Sequence, residues 1–249
     1  MKRMSIIIFL AGALANFSAT ATLSSSSISF GAGGGTKTVD ITWKDFANNG
    51  NSYAPTLPSW LSWGESEVIR DAGTTYTMRE SFTALANPTL ASRSCSLNLY
   101  TNMGGYGSGN ITYETLTVSQ SAGQLRFATS DLNCGMNQAS LNLDISASSA
   151  IRWKVTSNNA SWISLTESTK GRSSKRIGVS VAKNTSGVRR EGKVYLCVGH
   201  ILDSSVTSYC QHPEQYDNSD WVVDGWTSVT HASIVQDGCL TYSVLRIPK

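Results

Sequence analysis

Apolar residues alternate with polar ones along most of the chain. In "TVDITW" Val39, Ile41 and Trp43 share one phase, and in "SLNLDIS" Leu141, Leu143 and Ile145 do the same. Ile177, Val179 and Val181 in "RIGVSVA" repeat the pattern, as do Val194, Leu196 and Val198 in "KVYLCVG". A period of two sends successive side chains to opposite faces of a strand, so each run predicts a strand buried on one face. Clusters of Gly, Asn and Ser separate the runs at intervals suited to a sandwich. No window carries a 3.6-residue period. The run "GAGGG" at Gly31–Gly35 precedes a strand rather than a helix, and reads as a hairpin turn.

The landmarks occur twice. Phe30, Phe82, Asn87 and Leu97 each find a counterpart 97 residues later, at Phe127, Val179, Asn184 and Val194. "PSWLSWGES" at Pro58–Ser66 matches "NASWISLTE" at Asn159–Glu167, with Trp60 against Trp162 at an offset of 102. "TLTVSQSAG" at Thr115–Gly123 matches "HASIVQDG" at His231–Gly238, with Gln120 against Gln236 at an offset of 116. Offsets this steady across several strands indicate a duplicated module. The expected fold is all-β, with two tandem immunoglobulin-like β-sandwich domains over about residues 23–123 and 124–249. Trp60 and Trp162 are expected to fill the space between the sheets rather than serve as sugar platforms.

The Gly-rich first turn, the "SWIS" stretch, the strand and turn "VAKNTSGVRREGKVYL" and a closing strand ending in Gln resemble one known family. It is the BACON domain, the Bacteroidetes-associated carbohydrate-binding, often N-terminal module. The second copy resembles it over Leu125–Val198 and again over Ile234–Gly238; in the first, "NPTLASRSC" only approximates the "NTSGVRREG" turn. The resemblance implies a non-catalytic protein that binds glycans or a glycan-rich surface. It also allows a structural virion protein, a head or tail decoration of a phage infecting Bacteroidetes, whose partners are neighbouring subunits.

The N-terminus, "MKRMSIIIFLAGALANFSATA", combines two basic residues, an apolar run and small residues. Residues 1–22 therefore read as a signal peptide, or alternatively as a retained N-terminal strand. The apolar run is too short for a membrane span. Export would make the protein secreted or surface-bound; retention of the segment would suit a virion. The net charge of +3 includes Lys2 and Arg3, so the remaining body is nearly neutral. The densest basic stretch, "KGRSSKR" at Lys170–Arg176, is expected on a solvated loop, and nucleic acid is discounted.

The copies diverge most after Val198, where the second is 14 residues longer than the first. That insertion, residues 201–228, carries Tyr209, Tyr216, Trp221 and Trp226 among Asp, Asn and His. Ring faces can cover the apolar side of a sugar while amides and carboxylates bond its hydroxyls, so these four are the candidate ligand-binding residues. The competing expectation is an elongated hairpin that packs its own aromatics. A smaller candidate is the loop bearing Tyr100, Tyr106 and Tyr113.

Cys197, His200, Cys210 and His212 form a C-x2-H…C-x-H spacing of the kind zinc accepts. On a straight strand, however, Cys197 and His200 point to opposite faces, so no metal site is assigned. Five cysteines leave an odd one, and bridges such as Cys197–Cys210 or Cys210–Cys239 compete with a fully reduced chain. The three histidines accompany no catalytic motif. Pairs such as Glu65 with Glu67, or Asp217 with Asp220, are expected to be solvated carboxylates rather than a glycosidase pair. No cofactor is expected. The sequons at Asn110, Asn159 and Asn184 are expected to be idle.

Overall fold

The computed structural model describes residues 20–44, 52–53, 56–72, 75–102, 111–158, 161–166, 169–216 and 222–239. The first half holds β1 (Thr20–Leu23), β2 (Ser27–Phe30), β3 (Gly35–Lys44), β4 (Ser52–Tyr53), β5 (Leu61–Ala72), β6 (Thr75–Ala84), β7 (Arg93–Asn102) and β8 (Ile111–Gln120). The second holds β9 (Leu125–Phe127), β10 (Asp131–Cys134), β11 (Ala139–Ala147), β12 (Arg152–Ser157) and β13 (Ile163–Leu165). It continues with β14 (Lys170–Arg172), β15 (Lys175–Val181), β16 (Arg190–Ile201) and β17 (Val223–Gln236).

Each half forms two sheets. The first sandwich has the orders β1-β3-β6-β5 and β2-β8-β7-β4; the second has β9-β11-β15-β13 and β10-β17-β16-β12-β14. These are two tandem immunoglobulin-like β-sandwiches with one shared topology. In each, the opening chain gives one strand to either sheet, and the second of these runs parallel to the closing strand. Among the described residues only β14 has no counterpart in the first sandwich. It corrects the loop expected over "KGRSSKR": Lys170–Arg172 pairs antiparallel with β12, and Lys175 opens β15.

The alternating residues meet between the sheets. Val39, Ile41, Trp43, Phe82, Leu97, Leu99, Leu116 and Val118 fill the first core. Leu143, Ile145, Trp153, Val155, Ile177, Val179, Leu196 and Ile234 fill the second. Trp60 and Trp162 are 9% and 7% exposed and belong to these cores, which answers the core-or-platform question for both. The Gly31–Gly35 turn differs from a hairpin, because β2 and β3 lie in different sheets. Gly34 there has φ +76, and a Cβ on it would strike the Ala84 carbonyl, so glycine is required.

A buried polar network recurs in both sandwiches. Asn87 and Asn184 donate from Nδ2 to two carbonyls each: those of Ala91 (2.8 Å) and Ser121 (3.0 Å), and those of Val188 (2.9 Å) and Asp237 (3.0 Å). Their Oδ1 atoms accept from the backbone N–H and hydroxyl of Thr89 and Ser186. Arg93 and Arg190 donate from Nε to Oε1 of Gln120 and Gln236, at 2.7 and 2.8 Å. The same guanidinium groups lie 4.8 and 4.3 Å over the rings of Trp60 and Trp162. The turns Asn87–Arg93 and Asn184–Arg190 are thus one device despite their different sequences. The Asn184 carboxamide is committed to the fold, which removes this sequon as a glycan acceptor.

A paired Asp and Arg also recur on the outer surface. Arg79 meets Asp40, and Arg176 meets Asp144, each through two hydrogen bonds of 2.7–3.0 Å. The hydrogen bond from Arg176 holds the Asp144 carboxyl below the usual carboxylate range. A carboxyl lowered in the fold stabilises it fully above the unfolded value of about 3.9, and that contribution is lost as pH falls through the folded value. Urea titrations of the Asp144→Asn variant should accordingly show a flatter acid limb than wild type below about pH 4. Both side chains are well exposed, so the effect is small.

Candidate functional site

The outer face of the β14-β12-β16-β17 sheet is built by the residues that alternate with the second core. Trp153, Val155, Val194 and Leu196 point inward, so their neighbours point outward. Antiparallel partners share a face, which places Thr156, Tyr195 and His231 in one row across three strands. The next row holds Lys170, Lys154, Cys197 and Ser228. Beyond it stand Arg172 opposite Arg152, and Gly199 opposite Trp226.

Two aromatic groups border this face. The Tyr195 and His231 rings lie 5.9 Å apart at 50°. The Trp226 ring lies against Gly199, where a Cβ would come within 3.1 Å of it. Lys154 Nζ sits 5.9 Å from the centre of that ring. Trp226 and Tyr195 are partly exposed and His231 is exposed. Such a surface offers ring faces for apolar C–H groups and an ammonium for a polar or charged oxygen.

The four residues expected in the insertion separate. Trp226 stands on β17 as described, and Trp221 lies outside the described residues. Tyr209 is 0% exposed; its hydroxyl donates to the Ala150 carbonyl at 2.9 Å, and its ring centre lies 5.9 Å from that of Tyr216. A buried phenol must find an acceptor, and this one finds it in its own half, at the turn between β11 and β12. The insertion is more than an elongated hairpin. Between β16 and β17 it forms a 3-10 turn (Asp203–Ser205), the helix α1 (Val206–Gln211) and another 3-10 turn (Pro213–Tyr216). Six residues are too few for the periodic pattern that would have disclosed the helix.

Tyr209, Cys210, Val222 and Ala150 make a third apolar cluster, against which Leu85 and Ala86 of the first sandwich pack together with Tyr216. The linker joins there as well: Gly123 N–H donates to the Thr89 carbonyl at 2.8 Å, and Ile151 lies against the same glycine. Beside the cluster a cleft of about 850 Å³ opens between the 88–93 turn and the base of the insertion. Leu90, Val198, Ile201 and Val206 line it, with Arg93 and Asp224 as its charged groups. Arg93 is already committed to Gln120 and to the Leu85 carbonyl.

The zinc-like spacing does not converge. Cys197 is buried on β16, while Cys210 is buried in the third cluster. His200 Nε2 bonds Thr227 Oγ1 at 2.7 Å, and His212 lies 3.6 Å from Glu214. Among the described residues no three His, Cys, Asp or Glu side chains gather as a metal site. All five cysteines are free, so neither weighed bridge is present. Burial pushes the Cys210 thiol up to about 11, which keeps it protonated and unreactive near neutral pH.

The remaining candidates do not assemble either. Glu65 and Glu67 stand on an exposed stretch of β5, while Asp217, Asp220 and Tyr106 lie outside the described residues. Tyr100 and Tyr113 are register partners on β7 and β8.

Lys154, Tyr195 and His231 are the candidate residues of this face that the alternation left unnoticed. Their signal was present: an aromatic at Tyr195 occupies the polar phase of "KVYLCVG", and Lys154 separates two core positions.

A sequence model of the BACON family, described as "Putative binding domain, N-terminal", matches residues 152–207. That span runs from β12 into α1 and contains Lys154, Lys170, Arg172 and Tyr195. No curated protein matches the chain. Solved structures similar to it include a protein of unknown function from Porphyromonas gingivalis W83, at 10% identity and TM-score 0.29, covering 87% of this chain and 99% of that one. Another is the titin z1z2 pair in complex with telethonin, at 10% identity and TM-score 0.35, covering 88% and 98%. A third is the sialic acid binding region of a Streptococcus sanguinis SK1 adhesin, at 7% identity and TM-score 0.30, covering 88% and 78%. Among the described residues no helix is long and apolar enough to cross a membrane.

Proposed function

We propose that this chain is a non-catalytic glycan-binding protein that acts at or outside the cell surface, built from two copies of a BACON-type module. The observation that carries the reading is the aromatic and lysine face on β12, β16 and β17, of which Lys154 and Tyr195 lie inside the segment that matches a binding-domain model and Trp226 and His231 lie beyond it. The shared topology and the repeated Asn–Arg–Gln network support the duplication. Trp226 is the central contact, because its ring is held against Gly199 and remains partly exposed. A ring fixed by its own strand loses little freedom when a sugar covers it.

Retention of the purified protein on a panel of immobilised oligosaccharides tests this directly. The Trp226→Ala variant is expected to bind its best glycan about tenfold more weakly or worse, in the range of an interface hot spot. Equal retention by both proteins would remove Trp226 from the site. A point variant is preferable to deleting residues 201–228, since deletion would also remove Tyr209 and Val222 from the junction cluster.

A further inference from the structure

The outer face beside Trp226 is basic in a patterned way. Among the described residues β14 has no counterpart in the first sandwich, and its sequence is Lys-Gly-Arg. Register places Lys170 against Lys154 and Arg172 against Arg152; Arg152 is fully buried, so the cations that reach the surface are Lys154, Lys170 and Arg172. The Gly between them has its own reason: a Cβ on Gly171 would come within 2.7 Å of the Trp153 ring on the core side. The strand therefore gives its inner face to the core and its two long cations to the outer one. From Lys170 to Trp226 the face crosses four strands, a span of about 14 Å. Lys154 reaches towards Trp226 from the middle of that span, at 5.9 Å.

Resting on the glycan reading above, we propose that the ligand is an anionic glycan, carboxylated or sulfated. Its sugar ring lies on Trp226, and its acidic groups lie over Lys154, Lys170 and Arg172. A neutral sugar needs hydroxyl-directed donors and acceptors in balance. A row of ammonium and guanidinium groups supplies donors alone, which suits carboxylate and sulfate oxygens. A nucleic acid would need a longer basic track than this single patch on a nearly neutral chain.

The test uses the full-length protein and matched probe pairs: oligogalacturonate with its methyl ester, and sulfated with desulfated chondroitin oligosaccharides. Wild type is expected to bind at least one acidic member about tenfold tighter than its uncharged partner, and the preference should shrink as salt rises. Lys154→Met keeps the aliphatic cover on Trp226 and removes the charge. It should erase the acidic preference while leaving the thermal transition in place, and Lys170→Met should weaken it in the same direction. Equal binding of both members of a pair would overturn the anionic assignment and leave the glycan reading intact. No binding by any probe would overturn both. Capture of inorganic polyphosphate as strong as that of the sugars, and unchanged by Trp226→Ala, would show a general polyanion surface and overturn the glycan assignment.

Discussion

Replacing Asn184 by Ala should lower the stability of the second sandwich by about 3–5 kcal/mol, a loss that only a broken buried network explains. The side chain is 1% exposed and serves four partners at once. Its Nδ2 bonds the carbonyls of Val188 and Asp237, and its Oδ1 accepts from two donors of Ser186. Removing it leaves several buried groups without their partner, each costing about 1–3 kcal/mol before relaxation. Val188 is 71% exposed, so water can reach part of this turn and the costs will not add in full. Arg190→Met should cost less, since it removes the stacking on Trp162 and the bonds to Gln236 and the Ala182 carbonyl but keeps an apolar stem over the ring. The mirror change, Asn87→Ala, should weaken the first sandwich instead. Urea unfolding combined with hydrogen exchange would assign each loss to its half. A cost below about 1 kcal/mol for Asn184→Ala would show that the network is replaceable by water.

This network shows how far the chain could be read without coordinates. Asn87 with Asn184 and Gln120 with Gln236 were visible as recurring landmarks, and the period-two runs placed Val39, Ile41, Trp43, Leu143, Ile145, Ile177, Val179, Val181, Val194 and Leu196 in the cores, though not Trp153 or Val155. Arg93 and Arg190 share the same 97-residue offset, yet a surface-type residue beside a turn carries no local sign that it will lie over a tryptophan. β14 was missed for a related reason. "KGR" has no apolar member, and its strand character comes from pairing with β12 rather than from its own pattern. The outer-face residues were partly legible, because Trp226 stood out by type while Lys154 and His231 needed the register to join it. Tyr209 was the least legible. It is buried with Ala150 and Val222, and Leu85 and Ala86 pack on the same cluster from more than a hundred residues earlier; a loop rich in aromatics looks alike whether it greets a ligand or a neighbouring domain.

Tyr209 therefore supplies the other large expected effect, and one that separates packing from recognition. Tyr209→Ala should cost about 3–5 kcal/mol, because a fully buried aromatic leaves a cavity that a short helix can only partly collapse around. The damage should be local. Hydrogen exchange should accelerate across the insertion and at Leu85 and Ala86, while the β15 and β16 core amides stay protected. The milder Tyr209→Phe keeps the ring and leaves the Ala150 carbonyl without its 2.9 Å partner, at about 1–3 kcal/mol. If the residue holds the two sandwiches together, both variants should loosen the junction and neither should change glycan retention through Trp226. A Tyr209→Phe protein of unchanged stability but weakened glycan retention would reverse that assignment. The hydroxyl would then have to leave Ala150 for the ligand, and the junction cluster would have to open before binding.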